Sequence, residues 1–170
     1  MCIRDSLSSV GGITSYKGIP YTGKMVKYVD DEKTQLKWEK TYKEGKLKGL
    51  SEEYNRDGQL KSRRTYKEDK LNGLYETYYE NGQLEYRGTY KDGKEDGQIE
   101  RFYENGKLEY RGTYKDGKED GQIERFSENG QLESRGTYKD GKEDGQWELY
   151  DENGKFVEKV RFIDGVKQDD

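Results

Sequence analysis

Between Gly97 and Gly121 the side chains follow a pattern that predicts two strands and two turns. Gln98–Tyr103 is rich in β-forming residues, Asn105-Gly106 has the composition of a two-residue type I′ turn, and Lys107–Tyr114 alternates apolar with polar. Lys115–Gly121 then supplies a glycine-rich return. The same phrase recurs every 24 residues, relating Gly58, Gly82, Gly106, Gly130 and Gly154, and also Gly49, Gly73, Gly97, Gly121 and Gly145. Leu36, Leu60, Leu84, Leu108 and Leu132 keep the same step, with Phe156 closing the series, and Tyr42, Tyr66, Tyr90, Tyr114 and Tyr138 end in Phe162. A period of this length marks an array of hairpins, each burying its apolar positions only by stacking on its neighbours. The expected fold is therefore all-β, an elongated, twisted antiparallel meander of tandem 24-residue β-hairpins.

A two-residue turn at Asn105-Gly106 places Glu100 opposite Arg111. Its equivalents are Glu52 with Arg63, Glu76 with Arg87, Glu124 with Arg135 and Glu148 with Lys159. All are opposite charges, as cross-strand pairing favours. The same register sets Ile99 against Gly112, where the larger side chain covers the glycine. It also leaves Phe102 on the face away from Ile99 and Leu108, unless a bulge intervenes.

The array begins near Gly18. Its first unit carries a two-residue insertion near Asp30 and Asp31, because Gly23 and Tyr28 stand 26 residues before Gly49 and Tyr54. Residues 18–170 thus form a repeat domain of five to six units, and the divergent final unit, with Phe156, Val157, Val160, Phe162 and Ile163, reads as a cap. Residues 1–17 form an unassigned leader. Its start, Met1–Ser6, matches nothing in the repeats and reads as extraneous.

Composition narrows the chemistry. The chain has 170 residues, 40% of them charged and 28% hydrophobic, which is too polar for a thick core, yet its sixteen Tyr, four Phe and two Trp argue against disorder. It has no histidine and one cysteine, Cys2, which excludes an internal disulfide and removes the commonest general base and metal ligand. No nucleophile is paired with a base, so neither an enzyme nor a cofactor is expected. The acidic loops 92–96, 116–120 and 140–144 lack calcium-loop spacing and each contains a lysine, so turn chemistry accounts for them. Residues 1–74 carry 16 basic and 11 acidic side chains, and the remainder 16 and 25. Lys61, Arg63, Arg64, Lys67 and Lys70 make the first half basic, but the central units are nearly neutral, so nucleic acid and membrane are not the expected partners. At face value the location is cytoplasmic, and envelope-associated or exported if a native N-terminus is missing.

The candidate partner-binding residues are Tyr79, Tyr86, Tyr103 and Tyr110. In each unit the two tyrosines are diagonal cross-strand neighbours, and they vary together: Ser127 with Ser134, Asn55 with Ser62, Asp151 with Glu158. Positions that accept Asp and Glu are expected to be exposed, and rigid exposed tyrosine is a favoured contact residue. The plainer alternative is that these rings stack on each other to stiffen the sheet, as the Glu and Arg ladder stiffens itself.

The phrase Tyr110-Arg111-Gly112, followed by Gly117 and Gly121, resembles the spacing of MORN repeats, and Tyr86, Gly88, Gly93 and Gly97 repeat it. Tyr79–Leu84 and Gly88–Lys94 further resemble bacterial MORN-variant repeats of the family labelled YwqK-type antitoxins. Ser62 and Arg64, Ser134, and Glu158 and Val160 depart from the Tyr-x-Gly phrase. The resemblance implies a curved sheet of hairpins and a protein-binding scaffold, of antitoxin or immunity type. A cell-envelope or saccharide-binding module using the tyrosine face is the alternative. Another protein is the expected partner, saccharide or cell wall the second choice, and no small-molecule substrate is expected.

Overall fold

The computed structural model describes residues 7–10, 12–30 and 32–168. Met1–Ser6, where an extraneous start is expected, lie outside the described residues. The chain is all-β. A three-stranded sheet of β1 (Leu7–Val10), β2 (Ile13–Tyr16) and β3 (Ile19–Pro20) precedes a 14-stranded antiparallel sheet. The large sheet runs in chain order through β4 (Gly23–Tyr28), β5 (Leu36–Lys43), β6 (Lys46–Tyr54), β7 (Leu60–Lys67), β8 (Lys70–Tyr78) and β9 (Leu84–Lys91). It continues with β10 (Lys94–Phe102), β11 (Leu108–Lys115), β12 (Lys118–Phe126), β13 (Leu132–Lys139), β14 (Lys142–Glu143), β15 (Gly145–Tyr150), β16 (Phe156–Ile163) and β17 (Val166–Gln168). The boundary expected at Gly18 falls in the turn joining β2 to β3, and the Thr14 amide donates to the Gly45 carbonyl, which ties the small sheet to the large one.

All five anticipated charge pairs stand in register, from Glu52 with Arg63 to Glu148 with Lys159. Each arginine also faces the next unit's glutamate, as Arg87 faces Glu100, so the pairs join into one row across the sheet. On the other face a second row runs Gly88, Ile99, Gly112, Ile123, Gly136, Trp147, Val160. Ile99, Ile123, Trp147 and Val160 are buried, and with Tyr110 they form the core. Ile99, Ile123 and Trp147 each lean back over the glycine of the preceding strand, whereas Val160 faces Trp147: a Cβ built on Gly88 would meet Ile99 Cδ1 at 2.7 Å, and one on Gly112 would meet Ile123 Cδ1 at 2.7 Å. A single sheet can thus be buried on one face without a second layer. Full burial of Ile99 and Ile123 stabilises by about 1.5–3 kcal/mol each.

The turns correct one expectation. Asn105 keeps a negative φ while Gly106 lies at +80°, and the Gly106 amide donates to Tyr103 O at 2.8 Å. This is a type I turn completed by a glycine bulge, in place of the type I′ turn expected there. Asn105 is held in that conformation by its own side chain, whose Oδ1 accepts from the Lys107 amide at 2.9 Å while Nδ2 donates to Glu128 O of the next unit at 3.0 Å. The type I′ geometry occurs at the return instead, where Asp116 (φ 51°) and Gly117 (φ 85°) are both left-handed, as are Asp92-Gly93 and Asp140-Gly141. The Gly117 amide donates to Glu95 O at 2.8 Å, so these turns stack on one another as well.

Candidate functional site

The register slips by one residue beside the type I turn of every repeat, and this slip builds the site. Arg101 stands opposite Tyr110 but Phe102 opposite Leu108, so Glu109 is an extra residue on its strand; Glu85 is its equivalent between Thr77 and Tyr78. Such a bulge re-aims a side chain. Regular alternation would send Glu85 to the face of Arg87. Instead its carboxylate accepts from Thr77 Oγ1 at 2.9 Å on the tyrosine face. A concavity of about 330 Å³ results, lined by Tyr75, Thr77, Tyr79, Glu85, Tyr86, Tyr90, Arg101 and Glu109. Beside it lies a second of about 400 Å³, to which Tyr79, Glu80, Glu85 and Glu104 contribute.

Tyr79 and Tyr86 are therefore brought together around one opening, and Tyr103 and Tyr110 hold the same positions one unit later. The expectation that all four are exposed is corrected. Tyr110 is 6% exposed and belongs to the core, Tyr86 packs against it, and Tyr79 and Tyr103 are half-buried. The cause is hydrogen bonding along the array. Tyr79 Oη donates to Phe102 O at 2.6 Å and Tyr103 Oη to Phe126 O at 2.8 Å, each bond crossing to the following unit. Tyr110 Oη donates to Glu119 Oε1 at 2.8 Å and also meets Tyr114 Oη, and Tyr86 makes the same set with Tyr90 and Glu95. Burial, reinforced by these neighbours, pushes the Tyr86 and Tyr110 phenols well above the ordinary tyrosine range. Tyr79 and Tyr103 rise for burial first and then for nearby glutamates, Glu85, Glu109 and Glu104 around Tyr79 and Glu109, Glu133 and Glu128 around Tyr103.

Tyr75, Tyr90, Arg101, Glu85 and Glu109 were not singled out from sequence as site residues. The signal was Phe102, which alternation places on the charged face away from Leu108; it stays there, and the bulge on the partner strand carries Leu108 across to pair with it. Arg101 stacks its guanidinium 5.2 Å from the Tyr110 ring, as Arg125 does over Trp147 and Arg64 over Tyr75. Arg63 and Arg64 of the basic half are thereby engaged within the sheet, Arg63 bonding Glu52 at 2.9 Å.

The opposite face carries the Glu and Arg row. Arg87 reaches Glu76 at 3.1 Å and Glu100 at 3.8 Å, and Arg111 reaches Glu100 and Glu124, each at 3.3 Å. Hydrogen bonds from Tyr150, Arg135 and Lys159 hold the Glu148 carboxyl down at about 2. Tyr54, desolvated and bonded to Glu52, is pushed up to about 12. Among the described residues, no group of three or more His, Cys, Asp or Glu side chains converges as a metal site would.

A family model described as MORN repeat variant matches residues 47–68, 71–92, 95–116, 119–140 and 143–164. Each match spans one strand, the type I turn and its partner strand. The unit of β4 and β5 lies outside these matches yet continues the sheet in the same register. The comparison with curated proteins returns no match. Among solved structures, S. aureus TarM, as a mutant in complex with fondaparinux, α-GlcNAc-glycerol and UDP, is similar at 15% identity with a TM-score of 0.37, over 56% of this chain and 19% of that one. A second TarM crystal structure is similar at 15% identity with a TM-score of 0.34, over 55% and 20%. This chain thus spans about a fifth of the length of those proteins.

Proposed function

The chain belongs to the MORN repeat variant family, and from that premise we propose that it is a non-catalytic protein-interaction scaffold whose contact surface is the tyrosine face. The observation that carries this reading is the concavity around Tyr79 and Tyr86, on a sheet whose rows are held in register at both ends; Tyr103 and Tyr110 hold the same positions one unit later, where Arg101 covers the Tyr110 ring. A surface ordered before contact loses little side-chain entropy on binding, and tyrosine supplies contact area at small entropic cost. The finer form of the proposal is an antitoxin or immunity-like protein, which masks its partner by lying along it.

The test is capture from a native lysate and from envelope fractions, followed by reconstitution with the purified partner. The baits are the wild-type chain and a Tyr79→Ser, Tyr103→Ser variant, serine being what the array already holds at Ser127. A protein that binds the wild type stoichiometrically and the variant weakly supports the scaffold. Recovery of cell-wall saccharide alone would replace it with an envelope-binding module. Relief of the partner's toxicity on co-expression is the result expected of the antitoxin form, and unchanged toxicity would exclude it.

A further inference from the structure

The tyrosine face also carries unmatched charge. On the ladder face Glu52, Glu76, Glu100, Glu124 and Glu148 each pair with an arginine. Among the described residues, Glu80, Glu85, Glu104, Glu109, Glu128 and Glu133 make no ion pair. They lie along two lines, at the turns (Glu80, Glu104, Glu128) and at the bulges (Glu85, Glu109, Glu133), and both lines border Tyr79 and Tyr103. Neither the turn nor the bulge requires an acid, because Arg56 and Lys61 occupy the same two positions one unit earlier and Val157 occupies the bulge one unit later. Like charges stacked at successive units oppose folding. Their presence is unexplained by the sheet alone. Arg101 is the one cation lining the two concavities, and it is turned onto the Tyr110 ring.

The spacing identifies what would fit. Equivalent residues of adjacent units are two strands apart, about 9.6 Å. A polyproline II segment repeats every three residues over about 9.3 Å, with every third side chain on the same side. Tyrosine-lined grooves suit such segments, which are ordered before they bind. We propose that the stripe from Glu80 to Glu133 receives an extended, polyproline II-type basic segment of a protein partner. A Lys or Arg at every third residue meets successive glutamates, and the residues between pack on Tyr79 and Tyr103. The guanidinium of Arg101 has donors to spare for the segment's backbone carbonyls. This inference rests on the scaffold reading and supplies the chemistry of the partner.

Fluorescence anisotropy of the full chain tests it. The probe is a labelled peptide of about twelve residues, or four polyproline II turns, with arginine at every third position separated by proline and serine. An isomer of the same composition with contiguous arginines is the comparison. Saturable binding of the spaced peptide about tenfold tighter than the isomer is expected, because complementarity of charge positions supplies specificity. The Glu85→Gln, Glu109→Gln, Glu133→Gln variant should lose at least about tenfold of that affinity, whereas Asp92→Asn, Asp116→Asn, Asp140→Asn at the opposite turns should lose none. Neither variant should melt below the wild type, since the changed side chains are exposed or half-buried and neutralising a row of like charges removes a term that opposes folding. Equal affinity for the two isomers, or equal loss in the two variants, overturns the proposal in favour of unspecific charge attraction. So does sedimentation showing that the stripe pairs two copies of this chain. A captured protein that binds the glutamine variant undiminished overturns this inference and leaves the scaffold intact.

Discussion

Adding a single methyl group at Gly112 tests the packing of the core row. Gly112 has no left-handed φ, so an alanine there meets no backbone objection and the effect is steric. Its Cβ would stand 2.7 Å from Ile123 Cδ1 and would also crowd the Tyr110 hydroxyl, although Gly112 is opposed in register by Ile99 as well. Overpacking of this kind destabilises by about 1–3 kcal/mol. For a chain of this size that lowers Tm by roughly 2–4 °C per kcal/mol. Because Ile123, and not Ile99, leans over Gly112, shortening Ile123 should relieve part of the strain, the rest lying with the Tyr110 ring, whose hydroxyl comes nearest the added methyl. Ile123→Ala by itself costs about 2–5 kcal/mol, and combined with Gly112→Ala it should cost less than the sum by about 1 kcal/mol or more. Ile99→Ala combined with Gly112→Ala should be additive to within about 0.5 kcal/mol. Urea unfolding of the three single and two double variants beside the wild type measures both couplings. A larger coupling to Ile99 than to Ile123, or a Gly112→Ala cost below about 0.5 kcal/mol, would refute the backward lean of the row.

Four further outcomes follow from the geometry. Asn105→Gly should lower stability by about 1 kcal/mol, because it removes two hydrogen bonds from a residue at negative φ; a type I′ turn would have tolerated glycine there, and thermal melting distinguishes the two. Trp147 Nε1 is buried without a hydrogen-bond partner, so Trp147→Phe should stay within about 1 kcal/mol of wild type while Trp147→Ala loses about 3–5 kcal/mol, read by denaturant midpoints. Deleting residues 98–121 joins Gly97 (φ 122°) to Gln122 as Gly121 (φ 131°) is joined now, and should leave a folded, less stable protein; loss of all β-signal in circular dichroism would contradict a nearest-neighbour array. The Glu148 carboxyl is lowered in the folded state, so its contribution is complete above its ordinary value of 4.5 and is lost as pH falls towards about 2. Tyr86 and Tyr110 are raised, so theirs is complete below the ordinary 10.0 and is lost as pH rises beyond it. A pH titration of Tm should decline at both extremes, and Glu148→Gln should flatten the acid side.

What the amino-acid sequence determined by itself was whatever repeats at short range. The 24-residue step, the strands between glycine-rich turns, and the pairing of Glu100 with Arg111 and its four equivalents were all legible, because cross-strand neighbours in a hairpin are close in sequence and opposite charges reveal the register. Ile99 against Gly112 was legible for the same reason. The turn types were not. Asn105-Gly106 and Asp116-Gly117 share the same favourable composition, so composition does not choose between the turn types; the Asn105 bond to Glu128 reinforces the observed turn once units stack, and Asp57-Gly58 adopts it without such a bond. The site was half legible. Tyr79 and Tyr86 do meet, but their burial depends on hydroxyl bonds to Phe102 and Glu95 across strands, and the carboxylates beside them reach that face only through a one-residue bulge. A bulge inverts the side of every residue it displaces, and the packing of whole strands decides where it falls. The tertiary structure therefore decided which residues share the groove, while the sequence decided how often the unit is repeated.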